Sequence, residues 1–112
     1  MSDYVQVSTA TPNREQAIAL AQSAVAARLA GNAQVIGPVT SVFWHDGQQG
    51  IGEEYQVVLY TATRRYDALQ AHLLEHHPWD NPQITAVPIG RAPQAYREWM
   101  DGSVLDTAEM PD

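Results

Sequence analysis

The sequence predicts a single α+β domain in which four strands and three helices follow one another in the order β-α-β-β-α-β-α. Three observations support this order: segments where apolar and polar residues alternate, segments where apolar residues recur at helical spacing, and turn residues between them. The chain has 112 residues, 45% of them hydrophobic, which is enough for one ordinary core. We expect a folded domain over residues 1–102 and an acidic, flexible tail over 103–112.

The first two elements are a strand and a helix. Residues 4–10 (YVQVSTA) alternate valine with polar neighbours, which is typical of a half-buried strand. Thr11 and Pro12 are suited to begin a helix as capping residue and first helical residue, and Gly31 is suited to end it. The helix face predicted to lie on the sheet carries Ile18, Ala21, Val25 and Leu29.

A long β-hairpin is predicted next. Residues 34–44 (QVIGPVTSVFW) are rich in β-branched and aromatic side chains, and the Gly-Pro pair at 37–38 predicts a bend or bulge. The Asp-Gly pair at 46–47 is a strong turn signal, after which residues 53–63 (EEYQVVLYTAT) return as the third strand. Because both faces of this strand carry apolar side chains, we expect its second face to be covered, for example by another subunit.

The last three elements complete the domain. They are a helix over 64–77 that Pro78 ends, an edge strand over 83–89 (QITAVPI) and a short helix over 93–100 (PQAYREWM). The first six elements match the split βαβ, or ferredoxin-like, arrangement, in which an antiparallel sheet carries two helices on one face. The other face would be open in a monomer. We therefore expect subunits to associate, with the hairpin over 39–59 pairing with a neighbour.

Composition narrows the classes of function. The sequence has no cysteine and no lysine, which excludes disulfides, thiolate metal ligands, cysteine nucleophiles and Schiff-base chemistry. Six basic residues stand against thirteen acidic ones, and the formal charge of −7 disfavours nucleic acid and anionic membranes as partners. No phosphate-binding glycine motif and no G-x-S-x-G motif is present. With no signal-like start and no long apolar run, we expect a cytoplasmic protein.

Histidines and glutamates are the candidate metal ligands. His72 and His76 are four residues apart on the second helix and can face one another, whereas adjacent His77 points about 100° away from His76. Glu53 and Glu54 on the hairpin could add carboxylates if subunits bring them together. The structural alternatives are a solvated helix face and histidines that bind the carbonyl groups at the helix end. The sequence leaves both interpretations open.

Aromatic side chains are the candidates for an interface or a pocket wall. Tryptophan and tyrosine suit both because each combines a large apolar area with a polar group. We assign this role to Trp44 and Trp79, with core packing as the alternative for each.

Several separated segments of the chain resemble the CutA divalent-cation-tolerance family, in the same order. These segments are residues 7–31 (VSTATPNREQAIALAQSAVAARLAG), 38–63 (PVTSVFWHDGQQGIGEEYQVVLYTAT) and 73–89 (LLEHHPWDNPQITAVPI). The resemblance extends over residues 4–100. It implies a ferredoxin-like fold, a homotrimer held by extended hairpins and related to the PII proteins, and a role in tolerance of divalent metal ions. It also implies binding of Cu²⁺ or another divalent metal.

Three residues that are usual in the family are missing from this chain. The family usually has a cysteine where this chain has Gly31 and Asn32, a lysine where it has Tyr60, and a glutamate where it has Gln83. These changes remove a thiolate, a cation and a carboxylate. A less charged cleft between subunits, with Tyr60 and Gln83 beside Trp79, would suit a small organic ligand instead of a metal.

A third hypothesis is an enzyme of specialised metabolism derived from this family. In it, His76 or His77 would act as acid or base, and Tyr60 or Asn81 would orient the substrate. We expect a binding protein rather than an enzyme, because the sequence contains no complete catalytic motif.

Overall fold

The computed structural model describes residues 2–104, which form the α+β architecture expected from the sequence. The strands are β1 (Tyr4–Thr11), β2 (Asn32–His45), β3 (Gln48–Ala62) and β4 (Thr85–Ile89), and the helices are α1 (Arg14–Ala26), α2 (Tyr66–His76) and α3 (Gln94–Ser103). A 3-10 turn, Thr63–Arg65, joins β3 to α2. The sheet is antiparallel with the order β2-β3-β1-β4. The prediction of a ferredoxin-like sheet with an added C-terminal helix is confirmed.

Strands β2 and β3 form a hairpin that continues beyond the rest of the sheet. Strand β1 pairs with residues 55–62 of β3, so residues 48–54 and their β2 partners project past it as a free extension. At about 3.4 Å per residue, the extension is roughly 24 Å long. The tip turns at Asp46 and Gly47, both of which have positive φ, as the Asp-Gly pair predicts.

The bend predicted in β2 is present. The register with β3 shifts between Ile36 and Val39, and the peptide bond between Gly37 and Pro38 is cis. Glycine is needed at this point because a Cβ on Gly37 would lie 2.5 Å from the ring of Tyr55. One extra residue on β2 therefore bends the strand where the hairpin leaves the body of the domain.

The main core lies between one face of the sheet and helices α1 and α2. Alternate residues of β1 and β3 point to this face, as the period-2 pattern predicts. Alanines on α1 bring the helix close to the sheet, while α2 contributes leucines. The buried side chains of this core include Val5, Val7, Ala17, Leu20, Ala24, Val57, Leu59, Leu69 and Leu73.

Helix α1 begins later than the sequence predicts. Its N-cap is Asn13, whose Oδ1 accepts a hydrogen bond from the Gln16 amide at 2.8 Å. Thr11 is the last residue of β1, and its hydroxyl donates to the Asn13 carbonyl at 2.7 Å. The prediction of Thr11 as cap was wrong because the side chain of Asn13 takes the capping role two residues later.

Helix α1 also ends earlier than predicted. It stops at Ala26, and Arg28 then adopts a φ of 60°, so the helix does not reach Gly31. The buried stripe shifts accordingly, since Val25 is exposed on the outer side. Gly31 has a packing role instead: a Cβ there would lie 2.6 Å from the sulfur of Met100.

Helix α3 covers one end of the second sheet face. Met100 and Val104 are fully buried against Tyr4 and Ala62, and Tyr60 packs partly on the same cluster. Part of the covering expected from another subunit is therefore supplied by the chain itself.

The C-terminal end of α3 is fastened to the domain by polar contacts. The Tyr4 hydroxyl donates to the Asp101 carboxylate at 2.9 Å, and the Arg28 guanidinium donates to the carbonyl groups of Gly102 and Ser103. Val104 falls in the tail that the sequence predicts over residues 103–112, but it is buried and belongs to the packed structure. Residues 105–112 of the expected tail lie outside the described residues. Across residues 2–104, none of the helices has the length and apolar character needed to span a membrane.

Candidate functional site

The sheet face opposite α1 and α2 is covered only in part by residues 2–104, and its open part forms a cleft of about 360 Å³. Its floor comes from β1 and β3, its outer wall from the base of the projecting hairpin, and its inner wall from the loop that leads from α2 to β4. The side chains that line the cleft include Ser8, Ser41, Phe43, Glu54, Gln56, Trp79, Asn81 and Gln83. Aromatic, amide, hydroxyl and carboxylate groups therefore meet in one concave site of the size that suits a small molecule.

Three of the five predicted cleft residues lie together in this site. Trp79, Asn81 and Gln83 line the inner wall. Trp44 lies elsewhere, strongly exposed near the hairpin tip, and Tyr60 lies beside α3, where its hydroxyl donates to Gln34 Oε1 at 3.4 Å.

Other cleft residues were not predicted from the sequence. Ser8 and Gln56 reach the floor because β1 and β3 pair in register, with Ser8 opposite Val58 and Ala10 opposite Gln56. Alternation along each strand shows which residues share a face, but the pairing register is needed to bring the two strands' residues together.

His77 holds the loop that carries Trp79. Its Nδ1 accepts a hydrogen bond from the Trp79 amide at 3.1 Å, so in the neutral ring Nε2 carries the proton and donates to Thr9 Oγ1 at 3.1 Å. Burial lowers the pKa of His77, against the opposing effect of the Ala10 carbonyl. The neutral imidazole thus ties the inner wall of the cleft to β1.

His72 and His76 meet at the end of α2, but as stacked rings. The ring centroids are 4.1 Å apart and the planes are inclined by 25°. The Ser23 hydroxyl donates to the Leu20 carbonyl and so accepts from His72 Nε2 at 2.9 Å, while His76 Nδ1 donates to the His72 carbonyl at 2.8 Å. Burial and then repulsion from His76 lower the pKa of His72. Because imidazole lone pairs lie in the ring plane, two stacked rings do not converge on one ion.

The predicted metal ligands are not gathered within one chain. Glu53 and Glu54 are adjacent on β3 and therefore point to opposite faces of the sheet. The histidines belong to a different element, α2 and the residue that follows it. Among residues 2–104, no three histidine, aspartate or glutamate side chains are grouped closely enough to hold a metal ion. Residues 2–104 of a single chain therefore do not fit a complete divalent-metal site.

The residues of the enzyme hypothesis are also separated. His77 bonds to Thr9 on the sheet face beneath α1 and α2, whereas Tyr60 lies on the opposite face beside α3. Asn81 lines the cleft. His77 therefore acts in this structure as a support for the loop rather than as a partner of Tyr60.

Comparisons with known proteins match almost the whole chain. A family model described as CutA1 divalent ion tolerance protein matches residues 5–103. The protein CutA 1, chloroplastic, of Oryza sativa subsp. japonica is 28% identical over 103 residues, covering 92% of this chain but only 58% of the rice protein's length. The divalent-cation tolerance protein CutA of Pectobacterium atrosepticum is 26% identical over 104 residues, covering 93% of this chain and 94% of that protein.

The fold comparison agrees with the sequence comparison. The crystal structure of CutA1 from Oryza sativa matches with a TM-score of 0.90 and 27% sequence identity, covering 95% of this chain and 97% of that one. Since a single family model spans residues 5–103 and the architecture is the same, the chain belongs to the CutA1 divalent ion tolerance family.

Proposed function

We propose that this protein forms a homotrimer that serves in the cell's response to divalent metal ions, binding a copper-type ion with ligands from more than one subunit. Membership of the divalent ion tolerance family supports the cellular role. The observation that carries the assembly is the projecting hairpin, which is long, apolar on one face and, among residues 2–104, unpaired along both of its edges.

The apolar face of the hairpin extension is the first support for association. Val42 and Ile51 are cross-strand partners, and Trp44 lies two residues further along the same face. Their side chains are 60%, 73% and 77% exposed, respectively. Adjacent large apolar side chains with this exposure are typical of a protein interface.

The unpaired edges are the second support. Residues 48–54 of β3 have no β1 partner, and within residues 2–104 strand β4 pairs on one side only, with β1. A projecting strand and a distant edge strand are different surfaces, so a contact between them is heterologous. A heterologous contact that closes on itself forms a ring rather than a two-fold dimer. A trimer is the ring that the family resemblance implies.

Association also provides a route to a metal site. Glu53 lies on the part of the hairpin that would reach a neighbour, and His76 lies exposed at the end of α2 with its Nε2 free of hydrogen bonds within residues 2–104. Imidazole and carboxylate groups are suitable ligands for Cu²⁺, and the formal charge of −7 attracts cations. Contacts between subunits would bring together ligands, such as Glu53 and His76, that lie on separate elements within one chain.

Isothermal titration of the purified protein with Cu²⁺ and Zn²⁺ tests this proposal. We expect saturable binding at micromolar metal, weakened by Glu53→Gln and by His76→Gln. Asp67→Asn, a change to an exposed carboxylate in the first turn of α2, is the matched control and should leave binding unchanged. Absence of saturable binding by the wild-type protein would contradict the metal role.

A second candidate function is favoured by the cleft. Its volume of about 360 Å³ lies within the usual range of ligand pockets, roughly 300–1,000 Å³, and Trp79 offers a surface on which a flat molecule can pack. A thermal-shift screen of metabolites should find compounds that stabilise the wild-type protein. Trp79→Ala should abolish that stabilisation and Trp99→Ala, which removes an exposed tryptophan on α3, should not. Equal effects of the two changes would refute binding in the cleft.

A further inference from the structure

We propose that the cleft binds a small organic cation, an amine that carries a flat apolar group, with the Glu54 carboxylate as its counter-ion. The inference rests on the second candidate function and specifies the chemical class of the ligand. It is carried by the charge of the cleft, by its two aromatic walls and by the neutral polar groups between them.

Glu54 gives the cleft a single negative charge. The other side chains that line it are hydroxyl, amide, aliphatic or aromatic groups. Glu54 is half-buried, and no ion pair or hydrogen bond joins its carboxylate to another group in the part of the chain that the structure describes. A bound cation would supply the partner that this half-buried carboxylate lacks among residues 2–104. An anionic ligand would be repelled.

Two aromatic rings stand in the walls on different elements. Phe43 comes from β2, and its ring lies against Gly50, where an added Cβ would be 2.5 Å from the ring. Trp79 comes from the inner loop, whose position His77 fixes. Aromatic faces attract ammonium groups and also stack on flat apolar groups. The walls therefore suit both parts of an aromatic or otherwise flat amine.

Neutral hydrogen-bond acceptors in the cleft complete its fit to an ammonium group. An ammonium group has three N–H donors and needs acceptors beyond one carboxylate. The cleft offers hydroxyl and amide oxygens from Ser8, Ser41, Gln56, Asn81 and Gln83.

A divalent metal ion fits this cleft less well than an amine. Protein-bound divalent ions need several strong ligands within about 2.0–2.6 Å, and Glu54 is the one ionised ligand that lines the described cleft. The volume is that of an organic molecule rather than of an ion. We therefore assign the cleft to an organic cation and treat metal binding there as an outcome that the test must exclude.

The test uses three probes of similar shape and different charge: 2-phenylethylamine, 2-phenylethanol and 3-phenylpropionate. Each is titrated by NMR into the wild-type protein, Glu54→Gln and Asp67→Asn in buffer containing EDTA. We expect saturable binding of the amine, about tenfold tighter than the alcohol, because hydrogen bonds to charged groups are the stronger kind. Glu54→Gln should remove that preference. Asp67→Asn should retain it, because Asp67 is an exposed carboxylate on α2 that does not line the cleft.

Each contrary result has a distinct meaning. If the alcohol or the carboxylate binds as tightly as the amine, or if both variants behave alike, the amine class is refuted while binding in the cleft stands. If none of the three probes binds, the inference fails, whereas the second candidate function is decided separately by the thermal-shift screen of metabolites with Trp79→Ala. If the amine does not bind but Zn²⁺ added without EDTA perturbs the cleft resonances in a Glu54-dependent way, the site is a metal site and the inference is overturned. Circular dichroism of both variants verifies that they are folded.

Discussion

Ile51→Thr on the hairpin extension should weaken subunit association without unfolding the subunit. Full burial of an isoleucine contributes about 1.5–3 kcal/mol. Since 73% of Ile51 is still exposed in the single chain, association can bury up to that share, or about 1–2 kcal/mol per subunit. A trimer contains the substitution three times, so its association free energy should fall by about 3–6 kcal/mol.

This energy corresponds to a loss of about 10²–10⁴ in the trimer association constant, because each 1.4 kcal/mol is about a factor of ten. For three associating subunits the midpoint concentration varies as the inverse square root of this constant, so the midpoint of dissociation should move to roughly 10- to 100-fold higher concentration. Sedimentation equilibrium over a wide concentration range measures this midpoint. The wild type should have about three times the 12.3 kDa chain mass at the highest concentrations.

The matched control is Leu74→Thr, which removes a half-exposed apolar side chain from α2, away from the hairpin. It should leave the midpoint unchanged. A wild-type protein that stays at the chain mass, or equal shifts for the two variants, would refute the assignment of the hairpin face as the subunit interface. Urea unfolding of both variants at low concentration separates subunit stability from association.

Three further predictions concern the folded subunit. Leu69→Ala, at a fully buried core position, should lower the free energy of unfolding by about 2–5 kcal/mol in urea titrations; a loss below 1 kcal/mol would contradict the described packing of α2. Asn13→Ala should lower the free energy of unfolding by about 1 kcal/mol in the same assay, because it removes the side chain that caps α1. Pro12→Ala should lower it by less, and equal losses would contradict the assignment of Asn13 as the cap. His77 has a pKa below its unfolded value, near 6.5, so the unfolded chain takes up its proton first as pH falls. The stability that neutral His77 contributes should be present above about pH 6.5 and be lost as pH falls from there through the folded-state pKa. The free energy of unfolding should therefore change less steeply between pH 8 and pH 5 in His77→Gln than in wild type, and equal slopes would contradict this role of His77.

The order of strands and helices could be predicted from the sequence because the patterns that indicate each element lie within a short segment of the chain. Alternation over residues 4–10, the Asp-Gly turn at 46–47 and the Gly-Pro bend at 37–38 depend on neighbouring residues alone, and each has its expected place. The ends of α1 were less predictable. The Thr11-Pro12 pair and Asn13 are all acceptable near a helix start, and the hydrogen bond from the Gln16 amide decides between them.

The candidate site could be predicted only where its residues follow one segment. Trp79, Asn81 and Gln83 recur every second residue in one loop and line the same wall. Trp44 and Tyr60 were placed with them by resemblance and residue type, but the strand register puts them elsewhere.

The histidines show why residue spacing within one helix is not enough to predict a metal site. His72 and His76 meet as their four-residue spacing predicts. However, Ser23 on α1 binds His72 Nε2, a contact between distant parts of the chain that spacing within α2 does not reveal. The result is a stacked pair rather than a chelating one.

Native mass spectrometry of the protein equilibrated with micromolar Cu²⁺ tests the central claim most directly, because one spectrum reports both subunit number and bound metal. The proposed function predicts a species of three chains that carries copper and loses it in Glu53→Gln. A single-chain species, or a three-chain species that remains free of copper at saturating metal, would contradict it.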